Sequence, residues 1–338
     1  MIKYIVKRVL QFIPVFLGVT LILFIMQNVV PGDPIKLIAG ERKLDPQTEI
    51  NIRAQHGLIV TDADGNPVYD ENGDTIETPM VQRYVTYLTD LLHGDLGTSY
   101  QRGTTVSSII MQKYPYTVQL AIVGIIIEAI VGIGAGIISA IKRYSFWDIL
   151  VTLVTSLLVA MPAFWFGMLL QLLFGVVLHA LPISGVANPI SPYPGWMYYI
   201  MPGVTLAAVS TAYTARIMRS QLLDVMNQDY IRTARAKGLS KGAIIRKHAL
   251  KNALIPVVTY IGMDFGSMLS GAILTETVFS WPGIGRETYL AISQRDWPIV
   301  LGSITVIVFV VMIINLIVDV SYAFLDPRIR LGSSKNEG

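Results

Sequence analysis

Apolar residues along the chain are collected into six long runs, which polar segments separate. The runs cover residues 9–32, 117–141, 149–177, 200–218, 255–279 and 300–318. Because about 20 helical residues cross a hydrocarbon core of about 30 Å, the length of each run is typical of a transmembrane helix. The pattern therefore predicts an all-α integral membrane protein with six transmembrane helices.

Three residues interrupt this apolar pattern. Pro162 is predicted to kink the third helix, since an interior proline removes one helical hydrogen bond. Glu128 in the second run and Asp264 in the fifth place carboxyl groups at membrane depth, where a charge costs at least about 2.5 kcal/mol. We expect each acid either to line a wet passage and meet a cationic substrate group, or to form a structural hydrogen bond between helices, with or without a proton.

Lysine and arginine residues indicate the orientation of the helices. With both termini in the cytoplasm, the inner segments carry 17 of these residues and the outer segments carry 9. Most of the outer ones lie in one long loop, residues 31–116, which also holds 12 acidic residues. This distribution predicts that both termini are cytoplasmic.

Composition agrees with a membrane protein. Hydrophobic residues make up 53% of the 338 positions and charged residues only 14%, whereas about a quarter of a soluble chain is charged. The mean hydropathy is +0.55. The chain has no cysteine, which excludes disulfides, thiol nucleophiles and thiolate metal sites, and a net charge of +3 is too small to indicate a nucleic-acid partner.

The outer loop contains an acidic stretch with two turn sequences, residues 62–67 and 70–74, next to short strand-like runs. This pattern predicts a small hairpin. A calcium loop of the EF-hand type needs glycine at its sixth position and an acid at its twelfth. Counting from Asp62 gives Pro67 and Gly73, so an ordinary solvated hairpin is the better interpretation.

The polar stretch before the fifth run is predicted to form two short helices that meet at a sharp corner. Asn227 or Asp229 can cap the start of the first helix, and Gly238 suits a left-handed helix end. Ser240 can cap a second helix, which is predicted to continue as far as Pro256.

This stretch, residues 219–254, is predicted to be cytoplasmic and basic. Ala234 and Gly238 lie four residues apart on one face of the first helix, and their small size allows another surface to approach the backbone. Small residues also indicate close packing between transmembrane helices. These are Gly132, Gly136, Gly262 and Gly266.

The segment Arg232-Thr-Ala-x-x-x-Gly238, followed by His248-Ala-Leu250, resembles the cytoplasmic coupling loop of ABC importer permease subunits. Arg232 and Thr233 replace the first two residues of the Glu-Ala-Ala signature, and Lys251 stands where many members have proline. These departures are typical of the oligopeptide and dipeptide branch. Four further stretches are similar to that branch: residues 30–34, 93–97, 276–285 and 319–328.

The resemblance implies a type I ABC importer permease fold that covers almost the whole chain. Its predicted parts are a first transmembrane helix (1–32), an extracytoplasmic loop domain with the acidic hairpin insert (33–116), a five-helix permease core (117–325) and a cytoplasmic tail (326–338). The insert, at about 60–79, is longer than this branch leads us to expect, and Asp264 stands where a neutral residue is expected. A passive surface loop is the simpler interpretation of the insert, and contact with a binding protein is the alternative.

The resemblance also implies the function of a membrane permease subunit in an ATP-driven, binding-protein-dependent importer of dipeptides or oligopeptides, in a bacterial or archaeal cell membrane. Its expected partners are a second homologous permease, two ATPase subunits or domains, an extracytoplasmic solute-binding protein and the lipid bilayer. The chain has no Gly-x-x-x-x-Gly-Lys-Ser/Thr segment to cradle phosphates. We therefore expect no enzyme activity and no cofactor in this chain, with ATP and Mg bound by the partner ATPases.

Two groups of site residues follow from the resemblance and from the intramembrane acids. The predicted ATPase-coupling residues are Asp229, Arg232, Thr233, Ala234, Arg235, Lys237, Gly238 and Leu250. The predicted residues of the translocation path and outer gate are Glu128, Asp264, Glu276, Trp281, Pro282 and Gly283. For the last four, a tight structural turn anchored by Trp281 is the alternative to a gate.

Three other functions compete with peptide import. Import of nickel chelates or other small solutes would use the same motifs. A self-sufficient secondary transporter would be indicated by inverted repeats with short broken helices, which the sequence does not display. An intramembrane enzyme would need a nucleophile with its base, or a metal set, and the four histidines have no ligand spacing.

Overall fold

The computed structural model describes residues 2–29, 45–62, 64–270 and 272–325, and in this part of the chain helices dominate. The α-helices are α1 (Ile2–Val29), α2 (Pro46–Gln55), α3 (Met80–Leu92), α4 (Val106–Ile127), α5 (Ile133–Ile141), α6 (Phe146–Ala160), α7 (Ala163–Leu170), α8 (Ile200–Met226), α9 (Asp229–Ala236), α10 (Lys241–Ile244), α11 (Leu250–Leu269), α12 (Ile273–Val278), α13 (Ile284–Gln294) and α14 (Trp297–Leu325). Three π-helical segments, Glu128–Gly132, Gln171–Val177 and Ile245–Ala249, and a 3₁₀ helix, Gly195–Tyr199, complete them.

Three of the described helices are long and apolar enough to cross a membrane. They are Ile5–Asn28, Val106–Ile141 and Trp297–Val320. The pair Phe146–Ala160 and Ala163–Val177 makes a fourth if it counts as one span, although its two arms are bent by 109°. The kink predicted at Pro162 is therefore a break, at which Pro162 precedes the first residue of α7. The helical membrane architecture is confirmed at this level.

The fourth and fifth predicted runs also lie in helices, with different bounds. Residues 200–218 form the first part of the longer helix α8. The fifth run is not continuous, because α11 ends at Leu269 and α12 begins at Ile273. The apolar pattern continues across this break and therefore did not reveal it.

The chain divides into two compact units, one of residues 1–9, 113–287 and 307–338, and the other of residues 10–112 and 288–306. In the first unit, a Cβ atom on Gly132 would meet Thr214, and one on Gly136 would meet Ala215 and Met218. Likewise, a Cβ atom on Gly262 would touch Val318, and one on Gly266 would touch Ile314. The prediction of close helix packing at these four glycines is confirmed.

The second unit contains the acidic stretch of the loop domain. Antiparallel bridges join Ile59 to Glu77, Thr61 to Pro67, and Tyr69 to Thr75. The stretch thus has three antiparallel segments instead of the two of a hairpin. The turn residues predicted both turns, but the middle segment, Pro67-Val68-Tyr69, is too short to be recognised as a strand from its pattern.

A buried aspartate organises another part of the second unit. Asp296 is fully buried and accepts hydrogen bonds from Ser99 Oγ, Tyr100 N and Gln101 N. The preceding motif at residues 93–97 forms a turn, in which Gly97 has a positive φ of 81°. The motif residues 30–34 and the Asp326-Pro-Arg328 end of the last motif lie outside the described residues, as does the predicted tail.

Candidate functional site

The coupling region, which we define as residues 229–250, starts with the predicted helix α9. Gln228 occupies its N-cap position and makes no side-chain capping bond. The prediction of Asn227 or Asp229 as the cap is wrong, because Asn227 closes the preceding helix α8 and Asp229 is already the first residue of α9. Gly238 has a φ of 76°, as the predicted left-handed helix end requires.

The second helix of the corner begins as predicted but does not stop where expected. Ser240 caps α10 and accepts a hydrogen bond from Ala243 N at 3.4 Å. The helix then continues through a π-helical segment, and Pro256 lies inside α11. Ala253 and Val257, on either side of this proline, are fully buried. Their packing holds the helix together, since a proline removes only one helical hydrogen bond.

The inner face of the coupling region is packed onto the chain itself. Ile231 and Ala234 belong to a core cluster with residues of α5, α8 and α11, and Ala234 is only 6% exposed. Leu250 is half-buried against the same cluster. The expectation that Ala234 presents a free small-residue face is therefore wrong, because its small size serves packing within this chain.

The outer face of the coupling region is open and basic. Six of its predicted coupling residues are exposed: Asp229, Arg232, Thr233, Arg235, Lys237 and Gly238. A Cβ atom on Gly238 would meet no atom within 4 Å. Among the six, Asp229 and Arg232 form an ion pair at 3.4 Å, which is exposed to solvent and adds little stability. The region therefore offers a cationic surface on a rigid support.

An ion pair that the sequence analysis missed fixes the helix that leads into this region. Asp148 accepts two hydrogen bonds from the Arg219 guanidinium, at 2.8 and 2.9 Å. Ser139 Oγ and Tyr144 N also donate to the Asp148 carboxylate. A paired arrangement of this kind is strong and directional. The sequence signal for this pair was that Asp148 and Arg219 each lie directly beside an apolar run.

The intramembrane acids come together in the same unit. Glu128 is fully buried, and its Oε1 accepts a hydrogen bond from Thr214 Oγ1 at 2.6 Å. The Asp264 carboxyl group lies within hydrogen-bonding reach of Glu128. One oxygen of each acid, Glu128 Oε2 and Asp264 Oδ2, is buried without a donor. Glu128 is enclosed by the chain, and its role in a path stays a prediction.

The predicted outer gate forms a buried turn, which we call the outer turn and define as residues 276–286. The Glu276 carboxylate is fully buried and accepts hydrogen bonds from Thr117 Oγ1 at 2.7 Å and from Arg286 N at 2.8 Å. The Gly283 backbone passes so close that a Cβ atom there would overlap with this carboxylate. The turn is thus built around one buried carboxyl group.

Trp281 closes the outer turn from the other side. Its side chain is fully buried, and its Nε1 donates to Tyr116 O at 3.0 Å. The rings of Tyr116 and Tyr199 lie edge-on to the indole, with centroids 6.3 and 4.8 Å away. Pro282 is half-buried. These contacts agree with a structural turn, and the gate role of these residues stays a prediction.

Comparisons with known proteins cover nearly the whole chain. A family model described as "Binding-protein-dependent transport system inner membrane component" matches residues 132–331, and another, described as "Binding-prot-dependent transport system membrane comp, N-term", matches residues 1–121. The dipeptide transport system permease protein DppB of Escherichia coli (strain K12) is 35% identical to the chain, covering 98% of it and 99% of DppB. The oligopeptide transport system permease protein AppB of Bacillus subtilis (strain 168) is 35% identical, covering 97% and 99%.

A solved structure shares the fold. A chain from the inward-facing MetNI methionine ABC transporter aligns with a TM-score of 0.51 at 15% identity, covering 64% of this chain and 96% of that one. The likeness shows the type I ABC importer permease fold.

Proposed function

Because the chain belongs to the family of binding-protein-dependent transport system inner membrane components, we propose that it is the permease subunit of an ATP-driven importer of dipeptides or oligopeptides. The observation that carries this proposal is the similarity, over nearly the full length, to one dipeptide and one oligopeptide permease protein. In the proposal the chain crosses a bacterial or archaeal cell membrane six times, has both termini in the cytoplasm and forms half of the translocation pathway.

The coupling region is the proposed contact with a partner ATPase. Its exposed basic face, with Arg235 and Lys237, is available to a second protein, while Ile231 and Ala234 hold it to the core of the spans. A movement of a docked ATPase would therefore be passed to α8 and α11 as a rigid displacement. The two ATPase subunits bind ATP and Mg, and this chain contributes no bond chemistry.

The other side of the membrane serves solute delivery in this proposal. An extracytoplasmic binding protein brings the peptide, and a second homologous permease completes the path. The outer turn, with Glu276, Trp281, Pro282 and Gly283, is assigned to the outer gate, because a turn held this firmly moves with its helices as one body. Glu128 and Asp264 are assigned to helices that border the path, where an opening movement would bring them to the solute.

Reconstitution tests the proposal directly. The chain is co-expressed with the second permease, the ATPases and the binding protein encoded with it, and the purified complex is placed in vesicles. We expect ATP-dependent uptake of labelled dipeptides or oligopeptides and none without the ATPases. Uptake of a nickel chelate instead of peptides would reassign the substrate, and uptake by the chain without ATPases would refute an ATP-driven importer.

Replacement of Gly238 tests the coupling region. Gly238→Val adds bulk at the proposed contact and also strains a left-handed position by about 1–2 kcal/mol. Gly238→Asn adds a side chain that tolerates this backbone conformation, so it isolates the effect of bulk. Gly65→Val places the same strain in an exposed turn with a φ of 84° and is the matched control. We expect both Gly238 variants to insert normally but to lose peptide uptake, while Gly65→Val keeps it. Normal uptake by Gly238→Val would contradict the docking model.

A further inference from the structure

Three helical segments of the first unit each contribute a polar group to one enclosed cluster at membrane depth. Glu128 begins the π-helical segment after α4, Thr214 lies on α8, and Asp264 lies on α11. Thr211, one turn before Thr214 on α8, also has a buried hydroxyl group without a partner. The cluster is therefore polar in composition but incompletely hydrogen-bonded by the chain itself.

The two carboxyl groups of this cluster lack the donors that buried carboxylates normally have. The chain supplies a hydrogen bond from Thr214 to one oxygen of Glu128. The second oxygen of Glu128 and the Oδ2 oxygen of Asp264 are buried with no donor. Buried polar atoms are rarely left without partners, because each such atom has lost its hydrogen bonds to water without a replacement. The two orphaned oxygens therefore need an explanation.

Two ionised carboxylates in contact would be the least favourable state of this pair. Each would lose its hydration at membrane depth, and the two negative charges would repel each other. Asp148, another buried acid of this unit, is instead neutralised by the Arg219 guanidinium. Among the described residues, the phenol of Tyr260 lies close enough to both acids to interact with them, and its ring lies 6.5 Å from that of Tyr213; neither phenol carries a positive charge.

We propose that Glu128 and Asp264 together bind one proton and form a carboxylic acid–carboxylate pair. The proton comes from water and completes an O–H group on one acid, which donates to an oxygen of the other. One negative charge is removed, and the two oxygens that lack a donor gain one between them. In this state the pair joins the segment after α4 to α11, while Thr214 joins it to α8.

This site binds a proton and is not a subsite for a substrate amine in the conformation described. A substrate amine would need open access to a carboxylate, whereas Glu128 is fully enclosed by its own chain. The chain binds this proton whatever solute the complex imports.

Infrared difference spectroscopy of the purified complex tests the pair. A protonated carboxyl group has a C=O stretch that is distinct from the bands of carboxylates and amides and that shifts in heavy water. We expect this band in the wild-type complex and its loss in both Glu128→Gln and Asp264→Asn. In either variant the amide N–H supplies the missing donor, so the remaining acid no longer needs to bind a proton. The control Asp224→Asn removes an exposed acid and should leave the band unchanged.

The amide variants also make a prediction about assembly. Each amide has the shape and neutrality of a protonated acid, so both variants should assemble with the partner subunits as the wild type does. If one variant fails to assemble, the loss of the band in the other still supports the pair. Persistence of the band in both variants, its absence from the wild type, or failure of both variants while Asp224→Asn assembles would overturn the proposal.

Discussion

The coupling region and the outer turn are both sharp reversals between helices, but they are built in opposite ways. The coupling region turns in the open, where Gly238 has free space around it and basic side chains face solvent. The outer turn is folded around a buried carboxylate, with Gly283 against Glu276 and Trp281 enclosed by aromatic rings. Gly238 provides a left-handed backbone conformation in the coupling region, whereas Gly283 lets the backbone of the outer turn approach the Glu276 carboxyl group.

This difference teaches which surface can be used by a partner. A reversal that satisfies its polar groups internally, as Glu276 does, has little left to offer another protein. In the coupling region only the inner face, with Ile231 and Ala234, packs against its own chain. Substitutions in the outer turn should therefore damage folding, whereas substitutions on the outer face of the coupling region should damage interactions.

The largest effect on stability is expected from Gly283→Ala. The new Cβ atom would overlap with the Glu276 carboxylate, which would have to move away from its two donors. Overpacking and the loss of these two buried hydrogen bonds should together cost about 3 kcal/mol or more of the free energy of unfolding. Thermal unfolding of the complex in detergent measures this cost. Gly134→Ala, where a Cβ atom meets nothing within 4 Å, should unfold like the wild type.

A smaller effect is expected at the ion pair that supports the coupling region. Asp148→Asn leaves the Arg219 guanidinium with a neutral acceptor, and we expect a loss of about 2 kcal/mol. In a double-mutant cycle with Arg219→Gln, the double variant should lose less stability than the sum of the two single losses. Additive losses would mean that the two side chains do not support each other.

The smallest effect on stability is expected on the exposed face of the coupling region. Arg235→Glu combined with Lys237→Glu should change the free energy of unfolding by less than about 0.5 kcal/mol, because both side chains are exposed. The same variant should bind the ATPase subunits more weakly, as measured by co-purification at low and high salt. Lys251→Glu reverses an exposed charge outside the segment 229–240 and serves as the control. Equal recovery of ATPase in all three proteins would remove these side chains from the contact.

Local signals predicted a large part of this molecule correctly. Long apolar runs gave the helical membrane architecture, and Gly238 and Ser240 gave the corner between α9 and α10. Glycines within the runs gave the close contacts between helices, including Gly136 against Met218. Each of these features depends on a backbone conformation or a side-chain volume that a few neighbouring residues determine.

Features that depend on distant parts of the chain were not predictable in this way. Asp148 and Arg219 are separated by 71 positions, and only the packing of α6 against α8 brings them together. Ala234 is predicted to lie on an open face because it is small and lies four residues from Gly238, but residues of other helices cover it. The break after Leu269 lies in an apolar run, where hydropathy carries no information about helix ends.

The bend between α6 and α7 has a consequence for how this chain fits a membrane. Arm Phe146–Ala160 holds 15 residues, which at about 1.5 Å per residue reach about 22 Å, well short of a hydrocarbon core of about 30 Å. With 109° between the arms, neither can complete a crossing by its own length. A straight helix adapts to a thicker or thinner bilayer by tilting, but here the adjustment falls on the angle at Pro162. Hydrophobic mismatch would therefore be felt first as strain at this proline.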